Sequence, residues 1–381
     1  MPRVMPIYGT RPEAIKMAPL ILELRARGYE VPVTVTGQHR EMLDQVNAVF
    51  EIVPDYDLNL MQPGATLAQI TERALVACTA ILSEHTPDAV VVQGDTSSAF
   101  VAGLAAFYQQ IPVIHLEAGL RTGNIRSPFP EEANRRLVAP LTSLHLAPTS
   151  QAKANLVAES IREADIAVTG NTVIDALQIA STREAAFSDP RVPKMLQSER
   201  RLLLVTTHRR ESWGQPMIDS MSALADLARA LDIDVLLPMH RNAIVRDVIE
   251  PILGGLPNVL LTEPLSYLEF CNALGRCDVV LTDSGGVQEE APSLGKPVLV
   301  MRDNTERPEA IDAGTVELVG TDRARIVERT RRLFDDPAAY AAMSNAVNPY
   351  GDGLAGKRSV AAIDAYFGRG ERLPDFAASS N

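Results

Sequence analysis

Residues 88–96 read Asp88-Ala89-Val90-Val91-Val92-Gln93-Gly94-Asp95-Thr96. A continuous apolar run of this length predicts a strand buried on both faces, as the strands of a parallel sheet are. The sequence around it alternates short β-branched runs with longer helical stretches. Upstream, Val4 to Tyr8 predicts a strand broken at Gly9. Pro12 to Arg27 predicts a helix, with Ile15, Ala18, Leu22 and Arg25 at helical spacing. Val31 to Val35, Ile111 to His115 and Leu144 to Ala147 add further strands. This order is that of an α/β half with a parallel sheet.

The programme restarts in the second half. Arg201 to Thr206, Asp234 to Pro238, Val259 to Leu261, Val279 to Thr282 and Val298 to Met301 are predicted strands, with helical segments between them. Asn171 to Ala180 reads as the crossing between the halves. Ser359 to Phe367 reads as a last helix able to pack on either half, and the small, polar tail after Leu373 as frayed. Two such halves would leave a cleft at the carboxyl ends of their strands, where ligands of open α/β sheets bind.

Composition narrows the function. The 381 residues suffice for two cores, and the formal net charge of −12 speaks against nucleic acid as a partner. No 18-residue apolar run predicts a membrane span, and the start lacks a signal-peptide pattern. The three cysteines, Cys78, Cys271 and Cys277, form no CxxC, so a reduced, cytoplasmic setting is expected. The six histidines show neither HxH nor HExxH spacing, so no metal is expected.

Several strand ends carry chemistry. Gly9-Thr10-Arg11-Pro12-Glu13 turns from a strand into a helix, with Lys16 one turn on. A helix N-terminus beside an arginine suits a phosphate, although a plain turn with solvated charges fits as well. Asp95 and Glu117 end consecutive strands, and Glu131 follows in Pro128-Phe129-Pro130-Glu131-Glu132. Three carboxylates at one sheet edge suit proton transfer. Taken singly, Asp95 could cap the next helix and Glu131 could pair with Arg135. In the second half, Thr207-His208-Arg209-Arg210-Glu211-Ser212 ends one strand. Thr282-Asp283-Ser284-Gly285-Gly286 ends another and opens a helix, a cradle for an anion, with Glu290 placed for a ribose hydroxyl. Gly295-Lys296-Pro297 lacks the spacing of a P-loop.

Together these segments closely resemble the bacterial non-hydrolysing UDP-N-acetylglucosamine 2-epimerases over nearly the full length. The resemblance runs through GTRPEAIKMAPL at 9–20, QHREMLDQV at 38–46, GDT at 94–96 and EAGLRTG at 117–123. It continues through PEEANR at 130–135, HRRES at 208–212, DSGGVQEEAPSLGKPVLVMRD at 283–303, TERPEA at 305–310 and NPYGDG at 348–353. It departs at Gln93, Thr207 and Ala243, where His, Gly and Pro are common in the family. The resemblance implies a glycosyltransferase-B fold of two Rossmann-like domains facing a cleft. The implied domains are 1–170 plus a returning segment 354–381, and 171–353.

It further implies an isomerase that epimerises C2 of UDP-N-acetylglucosamine reversibly, through anti elimination of UDP and a 2-acetamidoglucal, with no cofactor. Asp95, Glu117, Glu131 and His208 would be catalytic. Ser284, Gly285 and Gly286 would hold the phosphates, with Arg11 and His208 beside them. Glu290 would hold the ribose, Lys16 the substrate, and Leu265 and Phe270 the uracil. A glycosyltransferase of the same fold, a hydrolysing epimerase and a non-catalytic nucleotide-sugar sensor stand second, and the presence of all three acids argues against the sensor. A homodimer serving cell-surface polysaccharide synthesis is implied as well. Activation by a second substrate molecule would involve the QHREM segment and His240.

Overall fold

In a computed structural model of the chain, residues 1–37, 40–60, 64–209, 212–305 and 307–378 are described. The chain forms two compact units, Met1–Ala176 with Tyr350–Ala377, and Leu177–Pro349.

The first unit holds a seven-stranded sheet, all of it parallel. Its strands are β1 (Val4–Tyr8), β2 (Thr34–Val35), β3 (Tyr56–Asp57), β4 (Ala89–Gln93), β5 (Val113–Leu116), β6 (Leu144–Ala147) and β7 (Ile166–Val168). The order is β3-β2-β1-β4-β5-β6-β7. The Val-rich run is β4, at the centre, where every residue is buried. Met5, Ile7, Val90 and Val92 pack against Ala99, Ala102, Ala105 and Ala106 of the helix Ser97–Tyr108. Small alanines on that face let the helix lie close to the sheet.

The second unit holds a six-stranded parallel sheet. Its strands are β8 (Arg201–Thr206), β9 (Ile233–Pro238), β10 (Val259–Thr262), β11 (Val279–Thr282), β12 (Val298–Val300) and β13 (Val316–Leu318), in the order β10-β9-β8-β11-β12-β13. Leu203, Val205, Val279 and Leu281 form its core with Met221, Leu224 and Leu227 of the helix Gln215–Ala230. Two parallel-sheet α/β units of this kind make the fold the glycosyltransferase-B type. In each sheet the winding direction reverses once, between β1 and β4 and between β8 and β11. Ligands of open α/β sheets bind at the carboxyl ends of strands beside such a reversal.

Some sequence expectations shift. Val31 to Val35 narrows to Thr34–Val35, while β3, β7 and β13 arise where no strand was read. The first crossing falls at 176/177, inside the helix Thr172–Ser181, and not at 170/171. The start of that helix is fastened to the first unit: the Thr172 hydroxyl donates to Lys16 O at 2.7 Å, and the Asp175 carboxylate accepts from Ala355 N and Gly356 N at 3.2 and 2.8 Å. The return crossing falls at 349/350, four residues before 354, because Tyr350 O already accepts Asn171 N at 2.7 Å.

The final helix, Ala355–Tyr366, packs on the helix Arg11–Ala26. Asp364 there accepts from Arg27 at 2.9 Å and from the Tyr29 hydroxyl at 2.6 Å. The tail after Leu373 is not frayed as far as Ala377. Phe376 is 7% exposed, its N–H donates to Val168 O at 2.7 Å, and Asp375 accepts from Val168 N at 3.0 Å. The segment thus covers β7, the edge strand, whose backbone groups would otherwise be open.

Candidate active site

In the first unit, the turn after β1 is fixed by Glu13. Its carboxylate accepts from Gly9 N at 3.0 Å, from Thr10 N at 2.7 Å and from the Thr96 hydroxyl at 2.6 Å. In return the Thr10 hydroxyl oxygen accepts from Glu13 N, which completes a capping box. A Cβ on Gly9 would lie 1.9 Å from Thr36 Oγ1, so only glycine fits there. Burial pushes the Glu13 carboxyl above its ordinary range, against the lowering effect of these bonds. Glu13 therefore ties the turn after β1 to the turn after β4. It also occupies the Gly9 and Thr10 N–H groups that the sequence had offered to a phosphate. Arg11, half-buried at the first helical position, remains beside that turn.

The carboxyl ends of β4 and β5 lie side by side, with Gln93 in register with Leu116. The next residue, Glu117, has φ of +61°, a left-handed backbone that a glutamate rarely adopts. Its carboxylate is held by three donors from three parts of the chain. Lys16 Nζ lies 2.5 and 2.7 Å from its two oxygens, Asn171 Nδ2 lies 3.2 Å from Oε1, and Gln93 Nε2 donates to Oε2. Gly119 follows with φ of +91°; a Cβ there would strike Ala152 O at 2.2 Å. The loop is shaped by backbone contact, and Glu117 is held in it.

Asp95, beyond β4, pairs with Arg135. Asn134 Nδ2 donates to Asp95 O at 2.9 Å. Asp95 does not cap the next helix; Thr96 does, accepting Ala99 N at 3.0 Å. Glu131 does not pair with Arg135 either. Arg135 is taken by Asp95 and by Glu132, at 3.1 Å. Glu131 opens the helix Glu131–Val138 with no hydrogen bond or ion pair to its side chain among the described residues. Its neighbour Glu132 is fully buried and accepts from Thr122 N, Arg135 and Arg136, each at 3.1 Å.

His115 Nε2 lies 2.7 Å from Gly94 O. Burial pushes this imidazole down to about 4, and the bond to Gly94 only partly offsets it. The ring is neutral at neutral pH, with its proton on Nε2, because a carbonyl can only accept. His145, its register partner on β6, is pushed down to about 3 by burial.

In the second unit, Asp283 organises the ends of β8 and β11. The strands are in register at Thr206 and Thr282, whose hydroxyls lie 2.6 Å apart. The fully buried Asp283 carboxylate then accepts from the Thr207 hydroxyl at 3.1 Å, from His208 N at 3.0 Å and from Arg209 N at 2.9 Å. His208 Nδ1 lies 3.0 Å from it, with the ring side chain 45% exposed. Burial pushes Asp283 up, but His208 and the backbone donors outweigh it and hold the carboxyl below its ordinary range. In the sequence Asp283 stands out only as the neighbour of Ser284. The signal that could have found it is an acid at a strand end beside a strand ending in His.

Ser284 begins the short helix Gly285–Glu290, and its hydroxyl makes no capping bond. A Cβ on Gly285 would lie 2.6 Å from Arg307 Nη1, and Arg307 Nε is fixed on Glu289 at 2.5 Å. A Cβ on Gly286 would meet no described atom within 4 Å, so that face of the turn is open. Glu290 is half-buried as the last residue of the helix. Leu265, 8% exposed, lines a cavity of about 400 Å³ with Thr262, Glu263, Ser188 and Arg191. Phe270 stands one turn into the neighbouring helix Tyr267–Arg276 and is not in that lining. Of the expected activator region, Gln38 and His39 lie outside the described residues, as do Arg210 and Glu211. His240 is exposed, with Nδ1 accepting Asn242 N at 3.2 Å.

The structure thus joins Lys16 with Glu117 and sets Asp95 beside Arg135 in the first unit, and joins His208 with Asp283 ahead of Ser284 in the second. Residues 22–364 match the family described as UDP-N-acetylglucosamine 2-epimerase. The chain is similar to the UDP-N-acetylglucosamine 2-epimerase of Escherichia coli K12, at 51% identity covering 95% of this chain and 98% of that one. It is similar to the enzyme of that name from Bacillus subtilis 168, at 48% identity covering 98% of each. The crystal structure of UDP-GlcNAc 2-epimerase from Neisseria meningitidis bound to UDP-GlcNAc superposes with a TM-score of 0.82 at 47% identity, covering 95% of this chain and 99% of that one. The chain therefore belongs to the UDP-N-acetylglucosamine 2-epimerase family of enzymes.

Proposed function

We propose that this chain interconverts UDP-N-acetylglucosamine and UDP-N-acetylmannosamine without hydrolysing either. A C2 hydrogen beside an ordinary acetal is too weakly acidic for a carboxylate. The C1–O bond to UDP therefore breaks first, and its electron pair leaves with the diphosphate. Positive charge at C1 acidifies the C2 proton, which a carboxylate removes. The C2–H pair becomes the C1=C2 bond of 2-acetamidoglucal. Proton return to C2 on the opposite face and re-addition of UDP give the epimer. The oxidation level at C2 is unchanged, so the balance requires no hydride acceptor.

The observation that carries this reading is the pair of acids ending β4 and β5, Asp95 and Glu117, each anchored by its own cation. Two faces of C2 require two proton-transfer groups, and Glu131 supplies a third carboxylate without a partner of its own among the described residues. A well-placed general acid or base contributes ~10²–10⁴ in rate. Arg11 and His208 would stabilise the departing diphosphate, with Ser284, Gly285 and Gly286 around its phosphates. Lys16 would contact the substrate, Glu290 the ribose, and Leu265 and Phe270 the uracil.

The proposal extends to a cytoplasmic homodimer. The homodimer rests on the family resemblance, and the three buried free cysteines support a reducing compartment.

Incubation with UDP-N-acetylglucosamine in D₂O, followed by NMR, tests the reading. Deuterium at C2 together with UDP-N-acetylmannosamine and no free sugar is expected. Free N-acetylmannosamine with UDP would make the enzyme a hydrolase, and binding without exchange would leave it a sensor or a transferase.

A further inference from the structure

In the sequence Asn171 stands only at the start of the crossing between halves. The structure attaches it through both its backbone and its side chain. Its N–H donates to Tyr350 O at 2.7 Å, and its carbonyl accepts from Ile174 N at 3.1 Å. Its side-chain Oδ1 accepts from Val173 N at 3.1 Å, and Nδ2 reaches Glu117 Oε1 at 3.2 Å. The Val173 N–H requires an acceptor, so the amide orientation is fixed: oxygen toward the helix, nitrogen toward the carboxylate. The residue is buried, and Gly170 before it has φ of +84°, which turns the chain into this position.

We infer that Asn171 is a positioning residue for Glu117, fixing the rotamer of that carboxylate from a point 54 residues away in sequence. The inference deepens the epimerase reading and rests on Glu117 transferring a proton. The physical need is specific. Lys16 alone could hold Glu117 in more than one orientation, because an ammonium is a point charge with rotatable donors. A planar amide donating to one oxygen removes that freedom, and Gln93 does the same for the other oxygen. Both amides are uncharged and do not titrate, so they bias the carboxylate without competing for its proton. On the neighbouring strand ends, Asp95 is paired with Arg135 and the neutral His115 with Gly94 O.

The two ends of the Asn171 side chain allow a clean test. Asn171→Asp keeps an oxygen for Val173 N and so keeps the helix start, but it sets a like charge beside Glu117 in place of a donor. Asn171→Ala removes both. For Asn171→Asp, the acid limb of the kcat–pH profile should move up by about one pH unit, as adjacent carboxylates raise one another. Thermal stability at neutral pH should fall by only a few degrees, the share of the same repulsion felt by the folded chain. For Asn171→Ala, kcat should fall by about tenfold or more, the loss typical of one hydrogen bond to a charged group, with KM altered less than threefold. Asn171→Asp with wild-type kcat and a wild-type acid limb would overturn the inference. So would Asn171→Ala losing activity only in proportion to lost folded protein. Glu117→Gln run in parallel separates the two levels. If that variant turns over normally, the role of Glu117 falls; if it is inactive while the Asn171 variants are normal, only the positioning role falls.

Discussion

His208 donates from Nδ1 to the carboxylate of Asp283, 3.0 Å away, while the rest of the ring is half exposed. A carboxylate can only accept, so the bond fixes which ring nitrogen carries the proton. The same carboxylate holds the His208 and Arg209 N–H groups, so one buried acid sets both the ring and the backbone beneath it.

Asp283→Asn should therefore act on stability and on ligand binding together. The amide carries no charge, and with its oxygen kept on the Thr207 hydroxyl and the His208 and Arg209 N–H groups it turns its NH2 toward His208 Nδ1, so the contact with the ring is lost. A loss of about 2–4 kcal/mol in urea unfolding is expected, with weaker UDP binding by calorimetry. The folded carboxyl is held below its ordinary value, so its stabilisation is full above the unfolded value and is lost as pH falls through the folded one. The variant should lack that acid-side component, and an unchanged acid-unfolding curve would refute the assignment.

Gly285 and Gly286 should respond differently to alanine. At Gly285 the methyl meets the Arg307 guanidinium at 2.6 Å and must drive it off Glu289, a local repacking worth about 1 kcal/mol or more. At Gly286 the methyl meets no described atom, so Gly286→Ala should fold with wild-type stability. It should nevertheless weaken UDP binding by about tenfold or more if the open face is where a phosphate sits. Equal UDP affinity in Gly286→Ala and wild type would remove the phosphate from this turn.

Asp175 gives a pH dependence of opposite sign. Burial pushes its carboxyl up to about 6 from an ordinary 3.8, despite the N–H groups of Ala355 and Gly356. A raised carboxyl binds its proton more tightly in the folded chain. Its contribution is present below the unfolded value and is lost as pH rises through about 6. Relative to Asp175→Asn, the wild type should gain about 1 kcal/mol of stability between pH 7 and pH 5. Chemical unfolding of both proteins across that range measures it; a constant gap between them would show that Asp175 titrates normally.

Phe376 and Asp375 cover the edge of the first sheet. Phe376→Ala should lower stability by about 2–4 kcal/mol through the emptied site. Ending the chain after Leu373 should also bare the β7 backbone, so light scattering should report association on warming that the full chain does not show. Indifference of both measurements to the truncation would return the tail to a loose end.

The central strands of both sheets were legible because Val90-Val91-Val92 and Val279-Val280-Leu281 are continuous and apolar, a pattern imposed by burial on two faces. Strands β2, β3, β7 and β13 have two or three residues each, too few for any period to show, and they lie toward or at the sheet edges. Asp95 and Glu117 stand out by their places after strands and Glu131 by its place at the start of a helix, but their partners do not. Lys16 with Glu117 spans 101 residues and Asp95 with Arg135 spans 40, and nothing local encodes such pairings. Gln93, Asn171 and Asp283 were missed for the same reason: each acts by reaching another segment. The Glu131–Arg135 pair allowed by helical spacing lost to a stronger long-range competitor in Asp95.

Glu13, Glu132 and Asp283 have a bearing on how this enzyme is dissected genetically. All three are buried acids whose oxygens are filled by donors from their own unit, and each holds a loop on which a proposed site residue sits. A screen that neutralised every acid and scored only colony growth would rank them beside Asp95, Glu117 and Glu131. The apparent roster of essential acids would double, and a chemist reading it would look for twice as many proton-transfer steps as the sugar needs.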